Sequence, residues 1–95
     1  MNDEIKKDLE LLIDVASNDT GQSRRVANLL LSWWNADECG GFDPTDLWCL
    51  DSNIRDSALR LIIYVAKVQR HPDKLGYARQ FERLVRTWRP HLITE

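Results

Sequence analysis

From Gly21 to Trp48 the chain reads GQSRRVANLLLSWWNADECGGFDPTDLW, and the order of residue types leaves few folds open. Val26, Leu29, Leu30, Trp33 and Trp34 recur at helical spacing, with Ala27 and Leu31 widening the apolar face. Gly40 and Gly41 end that helix, because glycine takes the backbone conformations a C-terminal cap needs. Asp43-Pro44-Thr45-Asp46 starts another, with a capping aspartate, proline at the first helical position and a carboxylate near the positive end. A helix, a stop and a new start within 28 residues describe a helical bundle with short connections. The pattern predicts a helix from about Gln22 to Asp37, capped by Thr20 or Ser23, and a short helix Pro44–Cys49 burying Leu47, Trp48 and Leu50.

The rest of the chain reads the same way. Ile5, Leu9, Leu12, Ile13 and Ala16 share a face of a helix over Asp3–Ser17, with Asn2 or Asp3 as cap, and SNDTG follows as a turn. Asn53–Arg70 forms a helix with Ile54, Ala58, Leu61, Ile62, Val65 and Ala66 inward, ending before Pro72. HPDKLG is a turn, and Leu75–Arg89 is the last helix, closed by Pro90. Its Tyr77, Phe81, Leu84, Val85 and Trp88 give the cleanest periodicity in the chain. No segment alternates apolar and polar residues, so the expected fold is all-α: one domain over residues 1–95, a compact bundle of four main helices plus one short helix. Its core is expected to form on Leu29, Leu30, Trp33, Leu61, Ile62, Phe81, Leu84 and Trp88.

Charge is divided along the chain. Residues 1–51 hold eleven acidic groups against four basic ones, a net of −7; residues 52–95 hold nine basic against four acidic, a net of +5. The halves either attract each other within the fold or leave faces of opposite sign that steer a charged partner. No apolar run approaches the ~20 residues of a membrane span. The charged start MNDEIKKDLE does not read as a signal peptide, and the cytoplasm is the expected compartment. Cys39 and Cys49 read as reduced thiols.

No catalytic signature is present. Cys39, Cys49, His71 and His91 have no zinc spacing, no serine or cysteine sits in a nucleophile motif, and no phosphate or dinucleotide loop occurs. The expectation is a protein that is not an enzyme, with no metal and no cofactor. Candidate binding residues are surface charges. Arg79, Arg83 and Arg86 recur at i, i+4 and i+7 opposite the apolar face of the last helix, and Arg60, Lys67 and Arg70 could add a second stripe. Arg24 and Arg25, with the acidic edge Asp37, Glu38, Asp43 and Asp46, form the second choice, although helix capping also explains the carboxylates. Trp33 and Trp34 lie about 100° apart on a helix. One faces the core, and the other covers the FDPTDLW segment or stands out as an anchor.

The block GQSRRVANLLLSWWNADECGGFDPTDLW and the later FERLVRTWRPHL resemble a family of small proteins carried on bacterial plasmids and integrative mobile elements, over roughly Gly21 to Leu92. The resemblance supplies no catalytic residues. It implies an accessory gene of mobile DNA, and by analogy an inhibitor of host defence of the anti-CRISPR or antirestriction kind. The expected function is therefore a non-enzymatic protein-binding module, monomer or homodimer, whose partner is a host protein or protein–nucleic-acid complex. The alternative is a nucleic-acid-binding regulator or accessory of plasmid maintenance, against which the sequence pI of about 5.6 counts.

Overall fold

The computed structural model describes residues 1–93, which form four α-helices: α1 Asp3–Ala16, α2 Gly21–Cys39, α3 Ser52–Val68 and α4 Ala78–Trp88. Short 3-10 helices occupy Pro44–Cys49, Pro72–Leu75 and Pro90–Leu92. No strand occurs among the described residues. The all-α bundle is as expected, with two more short helices than the sequence suggested.

Local chemistry sets the starts. Asn2 caps α1 by accepting from the Ile5 amide at 2.9 Å, and Thr20 caps α2 by accepting from the Ser23 amide at 3.0 Å. Asp51 stands at the cap position of α3 but does not cap it. Its amide donates to Gln22 Oε1 at 2.6 Å and its carboxylate accepts from Gln22 Nε2 at 3.4 Å, tying the starts of α2 and α3 together.

Boundaries differ from the pattern in three places: α3 ends at Val68, short of Arg70, with Gln69 left-handed at φ 53°, and α2 and α4 depart further. Asn35 has φ −165° and ψ 86°, so α2 breaks there and resumes for one last turn. The Asn35 side chain accepts from the Glu38 amide at 3.3 Å, which caps that turn. N-A-D-E over residues 35–38 is a capping-box spacing placed inside what otherwise reads as one continuous helix. The last helix also starts later than Leu75. Pro72–Leu75 coils as 3-10, Gly76 takes φ 90°, a left-handed value that favours glycine, and α4 begins at Ala78.

Side-chain ties give the directions. Asp8 meets Ser57 and Glu4 approaches Arg60, so α1 and α3 are antiparallel. Gln22 meets Asp51, and Trp33 Nε1 donates to the Arg70 carbonyl at 2.8 Å, so α2 and α3 run the same way. The Tyr77 hydroxyl donates to Glu10 and Trp88 Nε1 donates to the Ala16 carbonyl at 2.7 Å, so α4 runs with α1.

Leu9, Leu12 and Ala16 of α1, Val26, Leu30 and Leu31 of α2, Ala58 and Leu61 of α3, and Phe81 and Leu84 of α4 make the core. Phe81 is fully enclosed, with Trp33 edge-on at 5.8 Å and Trp34 stacked at 5.6 Å. The adjacent tryptophans thus both serve the core, each half-buried. Of the expected core, Leu29, Leu30, Leu61, Phe81 and Leu84 are buried, while Trp33, Ile62 and Trp88 pack against it with one side in solvent. Ala66, expected inward, is exposed on the outer side of α3.

The two charged halves meet inside the fold at one buried carboxylate. Asp8 accepts from Arg60 Nε at 2.8 Å and Nη2 at 2.9 Å, and from the Ser57 hydroxyl at 2.8 Å. These hydrogen bonds, that of Arg60 foremost, hold the Asp8 carboxyl below the usual carboxylate range against the effect of burial. Arg60 is committed to this pair and does not belong to an outward basic stripe.

Candidate protein-binding surface

The segment following Gly40 and Gly41 is pinned at several points. Asp43 Oδ1 accepts from the Thr45 amide at 2.9 Å and hydroxyl at 2.8 Å, bonds that hold its carboxyl below the usual range. Arg25 Nε lies 3.3 Å from Asp46 Oδ1, an ion pair whose N–H is not aimed to form a hydrogen bond. Leu47 is half-buried and Leu50 is buried. The 3-10 coil decides what remains. With about three residues per turn, Leu47 and Leu50 fall on one side and residue 48 falls on another. Trp48, expected to be buried, is 83% exposed.

The residues singled out in the sequence separate into groups. Arg25 and Asp46 come together beside Trp48, whereas Asp43 serves its own turn. Arg24, Asp37 and Glu38 are exposed, the last two on the turn that follows the Asn35 break. Arg79, Arg83 and Arg86 are exposed on α4, opposite Phe81 and Val85, as the periodicity predicted. Arg89 is not part of that stripe. Its Nε donates to the Cys39 carbonyl at 2.9 Å and its Nη2 to Asn28 at 2.8 Å, fixing the end of α4 to α2.

Of the groups that could carry chemistry, His71 and Tyr77 are held in side-chain contacts. His71 Nδ1 lies 2.8 Å from the Trp33 carbonyl, and since a carbonyl only accepts, this nitrogen carries the proton in that contact. Burial pushes the Cys39 thiol up, and Cys49 is exposed. Burial, together with Glu10, pushes the Tyr77 phenol up. No cluster of three metal-ligating side chains occurs among the described residues. A groove of about 340 Å³ opens between α2 and α3 over Leu29, Trp33, Leu61, Ile62 and Val65. Its polar neighbours Ser32 and His71 bond to backbone carbonyls, Ser32 donating to Leu29 at 2.6 Å. No helix among the described residues is long and apolar enough to cross a membrane.

This helical bundle is the form taken by a family whose activity is itself open. The chain belongs to the family of unknown function DUF7673, whose model matches residues 6–89. The match takes in most of α1, beyond the block on which the sequence resemblance rests. No curated protein and no solved structure matches the chain.

Proposed function

We propose that the protein is a non-enzymatic protein-binding module that docks its partner on the pinned turn carrying Trp48. The observation that carries this reading is the exposure of that indole on a braced segment. A tryptophan capped by a partner removes roughly 200 Å² from water, a ceiling of about 5 kcal/mol at ~25 cal/mol/Å² before the costs of association are subtracted. The bracing by Asp43, Leu47 and Leu50 means that little ordering is needed on binding. Arg25 and Asp46 add charges at the rim, where they tune specificity and encounter rate more than affinity. The setting in this proposal is an accessory gene of a mobile element, with a component of a host defence machine as partner. That part rests on the sequence resemblance.

The exposed stripe Arg79, Arg83 and Arg86 favours a second reading, a nucleic-acid-binding regulator. One experiment separates the two: a tagged pull-down from nuclease-treated host lysate, read by mass spectrometry, with Trp48→Ala and the triple change Arg79→Glu, Arg83→Glu, Arg86→Glu alongside. The expected result is one dominant protein that survives nuclease, persists with the triple variant and is lost with Trp48→Ala. Capture lost only in the triple variant moves the surface to α4. Recovery that vanishes with nuclease, together with affinity for nucleic acid that falls linearly in log salt, establishes the regulator instead.

A further inference from the structure

The apolar surface of α3 is wider than the core it covers. Ile54, Ala58 and Leu61 are buried, and Ile62 continues the apolar surface along the groove. On the outer side Leu59 is 42% and Ile63 56% exposed, with Ala66 exposed beside them. Leu59 and Ile63 are four residues apart and lie along one line of the helix. Asp56 comes three residues before Leu59 and Lys67 four after Ile63, so all four share one face, with opposite charges at its two ends.

We infer that this face is the contact between two copies of the chain, packed α3 against α3 antiparallel about a two-fold axis. The argument is self-complementarity. An isologous interface needs every contact to be repeated across a single axis. The apolar pair Leu59/Ile63 has its midpoint at position 61, and the charged pair Asp56/Lys67 has its midpoint between positions 61 and 62. One axis level with position 61, on the opposite side of the helix from the buried Leu61, therefore sets Leu59 of each copy against Ile63 of the other. It also brings Asp56, about 16 Å along the helix from Lys67 at 1.5 Å per residue, to the other copy's Lys67 at both ends. Parallel packing would set like charges together. Asp56 already lies 3.2 Å from Arg55 within its own helix, and both side chains are about half exposed, so its carboxylate remains within reach of an incoming lysine. Trp48 takes no part in this contact, so the dimer and the proposed partner surface stand or fall separately.

Sedimentation velocity from about 1 μM to 1 mM, the range that spans weak to moderate self-association, tests the inference without any partner. The expected result is a monomer–dimer equilibrium. Ile63→Glu, at an exposed position, keeps the helical circular dichroism and melting of the native chain. It raises the dimer dissociation constant at least about a hundredfold, since each substitution counts twice across the axis. Asp56→Lys weakens the dimer, and Asp56→Lys with Lys67→Asp restores it, because the swap re-pairs the charges across the axis. Trp48→Ala leaves the dimer unchanged. A chain that stays monomeric at the highest concentration overturns the inference, as does a dimer indifferent to Ile63→Glu or one abolished by Trp48→Ala. A monomer that captures a foreign helix through Leu59 and Ile63 also overturns it, in favour of a heterologous partner.

Discussion

Two groups of tryptophans in this molecule have opposite fates. Trp33, Trp34 and Trp88 lean on the core, and the indole N–H groups of Trp33 and Trp88 are satisfied by the Arg70 and Ala16 carbonyls. Trp48 sits on a short 3-10 helix and is left in water. The difference lies in the helical period. On α2 the α-helical repeat brings both indoles against Phe81, and on α4 it turns Trp88 toward the core. On the Pro44–Cys49 turn the 3-10 repeat gives the inward side to Leu47 and Leu50 and leaves none for residue 48. Aromatic content alone thus does not separate core from contact surface; the local coil does.

The contrast can be broken most severely at its buried end. Phe81→Ala empties the space between two tryptophans and should cost about 3–5 kcal/mol, measured by urea unfolding; a loss under about 1 kcal/mol would show that the two indoles collapse into the gap. Asp8→Asn should cost about 2 kcal/mol near neutral pH, since it removes the charge that Arg60 and Ser57 are arranged to meet. The effect carries a sign. The Asp8 carboxyl is depressed in the fold, so its contribution is present above the unfolded value near 4 and is lost as pH falls through the folded value. Wild type and variant should therefore converge in acid, and a constant gap across pH would remove the ionic part of the account. Asn35→Ala deletes the cap of the last turn of α2 and should cost about 1 kcal/mol, with hydrogen exchange speeding first in residues 36–39. At the exposed end of the comparison, Trp48→Ala should shift stability by no more than about 0.5 kcal/mol while abolishing partner capture. A large loss of stability there would place Trp48 among the structural tryptophans.

Much of the frame was legible in the chain. The caps Asn2, Thr20 and Asp43, the stop at Gly40 and the apolar face of α4 are set by residues within one turn of each other, so the sequence displays both partners of each interaction. The arginines at 79, 83 and 86 were legible as an outward stripe for the same reason. The capping box N-A-D-E was also visible. It was masked by the apolar run before it, which reads as one uninterrupted helix to Asp37.

What lay outside the sequence was long-range choice. Arg60 looks like a surface arginine until Asp8, 52 positions away, accepts from it. Arg25 and Asp46 are two charges on separate segments until the turn closes over α2. Leu59 and Ile63 continue a good helical pattern, and only the placement of α1 and α2 shows that the core does not reach them. The sequence by itself determined that the chain is helical, where most helices start and stop, and which residues have the chemistry to fill a core. The tertiary structure decided which tryptophan is left over, which charges neutralise each other and which apolar face remains open. The physical reason is range: capping and periodicity act within about four residues, whereas burial and ion pairing depend on which distant segment arrives to cover a side chain.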